Sequence, residues 1–450
     1  MSHMARMLLV QGIAAAKAGD RRDARRYLER LLIFDPDPSQ KVEAWLWLSE
    51  ISDDPEEKRR YLEYVIGAEP WEPRARRALA ILNGELDPED VVEPDRAQAQ
   101  VPAQPQDVRS RRFVCPQCGG RMSFLSEREG LSCAYCGHRA GLAEALDSAA
   151  VEEQEFVVAL ATAKGHSRPV ATRALSCSGC GASFLVAPSL LSLVCPYCGS
   201  SHVLETEQAL IQPQAIVPMR LTQEEARAAM VAWLERHRLA GRASLPQPTG
   251  LYLPAWTFDV GGEVKWRGQP AQSRRGRMRL HWDGDDLSLR GGLAADGTPP
   301  KMGGIPVFFD DIVVPASHTL PAAVMDEVRH FDLSQLQPFD AAFLAGWPAE
   351  IYQVPAADAS IAARQIAWAR ARKEARDSLK DDYWPGSLHL SSHSVSILSY
   401  KLILLPLWVA RYRVGEEQYH LVANGQTGAV RGQEPPASGW LSRLRDRLLG

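Results

Sequence analysis

No apolar run in the 450-residue sequence is long enough to cross a bilayer; the longest, Leu402 to Ala410, is itself interrupted by Pro406. No Gly-Lys pair occurs anywhere, so the phosphate loop G-x-x-x-x-G-K-S/T is missing, and with it ATP chemistry of that kind. Excess charge of one sign is missing too. There are 51 Lys and Arg against 55 Asp and Glu, a net charge of -4. With a pI near 6.3, nothing pulls the whole chain toward nucleic acid or anionic lipid. No amino-terminal secretory stretch is visible once the opening Met-Ser-His-Met is set aside, which leads us to expect a soluble, cytoplasmic protein. Cysteine is scarce, with eight residues in all, and every one falls between residues 115 and 198.

Those eight form two copies of one pattern. Cys115, Cys118, Cys133 and Cys136 return 62 positions later as Cys177, Cys180, Cys195 and Cys198, each set spaced C-x2-C-x14-C-x2-C. Two residues between cysteines let a tight turn aim both sulfurs at one point. A short hairpin then brings the second pair round, and four thiolates close a tetrahedron on zinc. Gly119, Gly137, Gly181 and Gly199 follow the second cysteine of each turn, where positive φ lets backbone N–H groups face the sulfurs. Disulfides require an oxidising compartment. An iron–sulfur centre would need an electron-transfer context that nothing else in the chain suggests. The reading is two structural zinc ions with closed coordination shells, and therefore no catalysis at either.

A chain of this length supports two to four domains. Residues 1–84 repeat at a separation of 34: Arg25-Arg26-Tyr27-Leu28-Glu29 returns as Arg59-Arg60-Tyr61-Leu62-Glu63, and Pro36 as Pro70. That is the tetratricopeptide period. Gly12 and Ala24 stand where such a repeat wants small residues, although Leu46 and Lys58 replace them in the second copy. A small all-α stack of this kind offers a surface for a protein partner. Trp45, Trp47 and Trp71 read as core.

Residues 85–112 change composition abruptly; between Glu85 and Asp107 there are seven acidic residues, one arginine and four prolines, which reads as a flexible linker. The β ribbons at 113–147 and 173–206 flank a helical connector at 148–172, with one helix expected over Glu152–Lys164 and a stop at Gly165. His138 and His166 lie near cysteines but read as surface residues. Residues 207–433 read as an α+β domain. Its expected helices are one capped by Thr222 and Glu225, one near Ala322–Arg329, and one over Asp358–Leu379. Its expected strands include Leu251–Val260, Glu263–Trp266, Arg277–Trp282, Val307–Val314, His393–Leu405, Leu407–Val414 and Gln418–Val422, with a turn at Asn424-Gly425. Residues 434–450 form a basic amphipathic tail able to meet a membrane surface or a partner.

Two further constellations suggest chemistry. Asp310 and Asp311 precede an apolar strand, with Ser317 and His318 beyond it, but adjacent residues of a regular strand face opposite ways. Arg274, Arg275, Arg277 and Arg279, near Trp266 and Trp282, could contact phosphates and bases; a charged hairpin edge is the plainer account.

Several stretches resemble a family of largely uncharacterised bacterial proteins with transcription-factor-IIB-type zinc ribbons, often labelled as related to the primosomal replication-restart helicase. They are EEQEFVVALATAKGH between the cysteine units, LYLPAWTFDV, FFDDIVVPAS, FDLSQLQPFDAAFLAGWPAEIYQV, and LILLPLWVARYRV followed by NGQTGAV. Some relatives continue into transmembrane helices and associate with membrane-stress systems. The resemblance implies the ribbons and little about activity. Without a phosphate loop, the helicase label does not carry over to Met325-Asp326-Glu327-Val328. The functional expectation is a non-enzymatic zinc-binding adaptor that engages a protein partner through its helical front. The alternative is a nucleic-acid-binding accessory protein using the ribbons and the arginines.

Overall fold

The computed structural model describes residues 3–34, 36–70, 72–91, 106–107, 110–125, 130–141, 151, 153–167, 173–177, 183–186, 190–194, 200–204, 210–271, 279–283, 286–290, 299–321, 325 and 330–435. The expected helix near Ala322–Arg329 is thus described only at Met325, and Trp71 and the tail beyond residue 435 lie outside the described residues.

The amino-terminal region is a run of helical hairpins: α1 (His3–Lys17), α2 (Arg21–Ile33), α3 (Pro38–Ile51), α4 (Pro55–Ala68) and α5 (Pro73–Leu82). Local chemistry sets the starts. Pro38, Pro55 and Pro73 occupy the first turn, where a missing N–H costs nothing, and Asp20 and Asp54 accept from the N–H groups of Asp23 and Glu56. Gly12 is required by close approach, since a Cβ there would lie 2.7 Å from Leu28. The two hairpins are joined by a bidentate pair, Arg25 to Glu57 at 2.6 and 2.7 Å, with the Ser52 hydroxyl also donating to Glu57.

These helices are docked on the rest of the chain. Ala80 and Leu86 are buried together with Ala161, Arg76 pairs with Glu155 at 2.9 Å, Lys265 reaches Glu69 at 3.4 Å, and Val91 bridges to Thr162. This corrects the expectation of a free linker beginning at Glu85. Average composition hid Leu86 and Val91, two apolar residues among acids, which supply the contact. The far end of the supposed linker, Ser110–Phe113, is a strand. The connector corrects as well: instead of one helix it forms α6 (Phe156–Ala161) and α7 (Ala163–His166), broken at Thr162. Gly165 lies within α7 because its Cα packs on Ala159; a Cβ would fall 2.1 Å from that carbonyl oxygen.

The large domain is built on three long strands, Thr249–Gly268, Lys301–Pro315 and His389–Val414. The first pairs antiparallel with both others, from Thr249↔Val409 to Arg267↔His389 on one side and from Ala255↔Pro315 to Gly268↔Lys301 on the other. The separate strands expected from the sequence are therefore continuous. Gly262 allows this: at φ +145, a methyl group would come within 1.9 Å of the Ser394 carbonyl oxygen. Pro254 and Pro406 sit inside the two central long strands without orphaning a partner. Pro254 falls between the residues that pair with Ala349 and with Pro315, and Pro406 between those that pair with Ile216 and with Asn424. Each proline marks a change of neighbour, where no ladder donor is needed.

Gly415, at φ +65, opens the two-residue loop to Glu417–Asn424, and Asn424 Oδ1 closes the following turn by accepting from Gln426 and Thr427. α8 (Gln223–Arg236) has the expected capping box and buries Ala226, Met230, Trp233 and Leu234. α9 (Ala356–Leu379) lies close on the sheet because Ala359, Ala363, Ala367, Ala371 and Ala375 form one buried stripe at four-residue spacing.

The cysteine-rich region is sewn into this sheet rather than strung ahead of it. Leu190–Val194 pairs with Ser201–Leu204 and with Ala349–Glu350, and the latter pairs at Tyr252. Ser110–Phe113, just ahead of the first cysteine unit, pairs with Ser201–Leu204 of the second, so it and the closing strands of the second unit share one extended sheet, and the expected boundaries at residues 112 and 206 are crossed by hydrogen bonding.

Arg25 holds the Glu57 carboxyl at about 2, below the usual carboxylate range. A depressed folded value means stabilisation that is complete above the unfolded pKa of about 4.5 and disappears as pH falls toward 2. Glu57→Gln should therefore weaken hydrogen-exchange protection of α2 and α4 at pH 7, with the difference from wild type narrowing below pH ~4.5.

Candidate metal centre

The first cysteine unit is a three-stranded antiparallel sheet, Met122–Leu125, Gly130–Cys133 and Arg139–Gly141, closed by two cysteine turns. In each turn the N–H after the second cysteine returns to the first: Gly119 donates to the Cys115 carbonyl at 2.9 Å and Gly137 to that of Cys133 at 3.2 Å. Both glycines take positive φ, +72 and +73, as the spacing requires, while Gly181 and Gly199 lie outside the described residues. Glycine also suits position 120, because a Cβ would fall 2.6 Å from the Tyr135 ring and crowd the sulfurs of Cys118 and Cys133 at 3.2 and 3.3 Å.

The four sulfurs converge. All lie within 4.8 Å of one another, with Cys115 to Cys136 and Cys118 to Cys133 each at 3.5 Å. A tetrahedron of zinc–sulfur bonds of about 2.3 Å places sulfurs about 3.8 Å apart, so the set fits zinc with little adjustment. The N–H groups of Cys136 and Tyr135 pull the Cys133 thiol down to about 6, toward the thiolate a metal needs. Gly120 N–H acts the same way on Cys118, but hydrogen bonds shared with Cys136 and Cys133 push that thiol up to about 12. A divalent ion resolves this competition by replacing the shared protons. Four protein sulfurs would leave no open position for substrate.

Of the second set, Cys177 is described; its sulfur lies 3.3 Å from His202 Nε2 and 3.5 Å from Ser200 Oγ, and His202 Nδ1 lies 3.0 Å from Ser110. Cys180, Cys195 and Cys198 fall outside the described residues. His138 and His166 take no part in the described set: Cys133 N–H donates to the His138 carbonyl, and His166 Nε2 meets the Leu160 carbonyl. Arg274, Arg275 and Arg277 are likewise outside the described residues, while Arg279 begins a strand, Arg279–Asp283, that forms a hairpin with Asp286–Arg290. Trp266 is not free to stack on a base, since its ring packs on Tyr383 at 4.5 Å and against Gly303.

The centre is held on the sheet by residues the cysteine pattern does not reveal. Phe124 packs against Phe343 with tilted rings 4.7 Å apart, its N–H donates to the Ala345 carbonyl, and Trp347 Nε1 donates to its carbonyl at 3.1 Å. Gly346, at φ +85, lets Ser123 approach. The stretch FLAGWP is thus the cradle for the metal unit.

The aspartate pair is also re-read. Asp310 and Asp311 do not face opposite ways: a bulge sets both against Asp259, bringing their carboxylates together with Glu153 and Asp259 within 4.8 Å. Ser317 is not part of this group; its hydroxyl donates to Glu350 at 2.8 Å. Glu153 and Asp259 were missed because register, not proximity in sequence, brings them in.

An uncharacterized protein of Bacillus subtilis (strain 168), YdjG, is 25% identical to this chain over 352 residues, covering 74% of this chain and 93% of that protein. No family model and no solved structure matches the chain.

Cys118→Ser should release the metal and unfold the three-stranded unit, because zinc binding and local folding are one equilibrium worth about 10 kcal/mol or more; elemental analysis should show one zinc fewer per chain. Gly346→Ala should keep the zinc yet loosen the docking, at a cost of about 1–3 kcal/mol, seen as faster exchange at Phe124.

Proposed function

We propose that this chain is a non-enzymatic, zinc-stabilised adaptor that takes an amphipathic segment of a protein partner into a groove between its helical front and its sheet. The observation that carries this reading is the groove itself, about 900 Å³, walled by Val42 and Pro70 of the helices, Leu160 of α6, and Phe308 and Ile397 of the strands. That size suits a few side chains. Phe308 is 60% exposed and Leu160 40%, an apolar pairing that water does not favour. Lys265 and Glu263 edge the same groove, so an occupant with both apolar and charged positions is matched.

In this reading the helices are tetratricopeptide-like and recruit the partner. The two cysteine units are zinc ribbons, the second holding its own ion through Cys177, Cys180, Cys195 and Cys198, and they serve as rigid docking knobs. The setting is cytoplasmic, with the tail giving peripheral membrane contact. Among the described residues, no helix is long and apolar enough to cross a membrane.

Phe308→Asp should reduce capture of a specific partner by about tenfold or more, the scale of a lost interface anchor, with zinc content and melting temperature unchanged. A partner retained equally by wild type and variant would remove the groove from the account. Tight binding to single- or double-stranded DNA that weakens steeply across a salt series would instead favour the nucleic-acid reading.

A further inference from the structure

We propose that Glu153, Asp259, Asp310 and Asp311 form a second kind of metal site, one for a hard divalent cation of the calcium, manganese or magnesium class. It is independent of the cysteine centre and of the adaptor reading. Carboxylate oxygens of all four residues lie within 4.8 Å of one another, a spacing that one small ion bridges. The oxygens come from three separate pieces of chain. Asp259 projects from the first long strand; Asp310 and Asp311 occupy a bulge of the second; and Glu153 reaches across from the connecting segment.

Charge alone does not make this a site, and part of the cluster is already engaged. Lys401 Nζ lies 2.8 Å from Glu153 and 2.9 Å from Asp311, the single Ser399 hydroxyl lies within hydrogen-bond reach of both Glu153 and Asp259, and Asp311 N–H donates to Asp259 at 2.9 Å. Lys401 is the one cation within ion-pair distance among the described residues, so four carboxylates face a single ammonium. Asp259 is 5% exposed and Lys401 7%, while Glu153 and Asp310 are exposed, so the cluster has a buried floor and a side open to solvent ions.

An independent observation comes from Thr257. Its side chain is 1% exposed, and Oγ1 has no hydrogen-bond partner among the described residues. A buried hydroxyl without a partner is costly. Thr257 pairs directly with Lys401 across the ladder and lies two residues from Asp259, so strand periodicity sets its hydroxyl on the face that carries the cluster. Asp311 Oδ1, by contrast, is already met by the Lys401 ammonium at 2.9 Å. A hard cation, directly or through a bound water, would give the Thr257 hydroxyl a partner and supply the missing positive charge. Sulfur and nitrogen ligands are absent from the set, which separates its preference from that of the cysteine quartet.

The test uses the full chain, dialysed against a calcium chelator too weak to remove thiolate-bound zinc, with zinc retention verified by elemental analysis. CaCl2, MnCl2 and MgCl2 are titrated separately by calorimetry, and Mn2+ is followed by electron paramagnetic resonance. One saturable site and a rise in melting temperature are expected for at least one ion. Asp310→Asn changes an exposed carboxylate and should leave zinc content and circular dichroism unchanged while weakening cation binding by about tenfold or more. Glu153→Gln should act likewise. Absence of saturable binding up to about 1 mM of all three ions, the weak end of protein calcium sites, or equal binding by wild type and Asp310→Asn, overturns the proposal.

Discussion

The pairing of Thr249–Gly268 with His389–Val414 is the constraint from which the rest of the structure hangs. Each residue added to such a ladder fixes the next, and a one-residue slip would turn every side chain to the wrong face. Trp256, Phe258 and Tyr252 on one strand and Leu402, Leu404 and Trp408 on the other are all buried, so slippage would expose a large part of the core. Long strands also leave long edges, which invite association with other chains. Here the edges are occupied in turn by Lys301–Pro315, Ala349–Glu350, Ala215–Ile216, Glu417–Asn424 and Gln154–Glu155. Pro254 and Pro406 stand where one such neighbour gives way to the next.

The four-cysteine unit illustrates the same dependence at smaller scale. Three strands of three to four residues cannot bury enough apolar surface to be stable alone. A metal would supply one remedy, and docking supplies the other. Met122, Phe124, Cys115 and Cys133 belong to the main core cluster, so the unit faces the sheet with its apolar side and turns its exposed sulfurs, Cys118 and Cys136, outward. Metal and cradle thus act on opposite faces. Losing the ion would free Phe124 as well as the thiols.

What could be read from the sequence was whatever depends on local spacing. The cysteine turns with Gly119 and Gly137, the 34-residue helical period, the Thr222–Glu225 cap and the helix ending at Leu379 all follow from rules that operate within a few residues. What could not be read depends on register between distant segments. Glycines at 261 and 262 looked like a break between strands, yet Gly262 permits a close crossing inside one strand. Acidic composition over residues 85–112 outweighed Leu86 and Val91, although two apolar side chains suffice when a partner surface waits at Ala161. Consecutive aspartates at 310 and 311 implied opposite faces under regular pleating, and a single bulge removed that premise. Within the described residues, the site was legible as a four-cysteine cluster able to hold a metal but not as something anchored by Phe343 and Trp347.

One short segment connects the three features that bear on function. Glu153 enters the carboxylate cluster; Gln154 and Glu155 pair with Tyr400 and Ser399; Glu155 also holds Arg76 of α5; and Phe156 and Leu160 line the groove. Phe156 is fixed from below by edge contacts with Phe258 and Tyr400 at 5.6 and 6.0 Å. The segment has almost no internal structure to hold it, only a two-residue strand and a six-residue helix, so its position is set by what it touches. A cation between Glu153 and the strand carboxylates would add charge-assisted contacts at the one end that now relies on Lys401 and Ser399. Because Glu155 and Phe156 follow Glu153 directly, tightening that end restrains both the salt bridge to the helices and the wall of the groove. The carboxylate cluster and the groove are then mechanically coupled through a few residues of backbone, without requiring any rearrangement of the sheet.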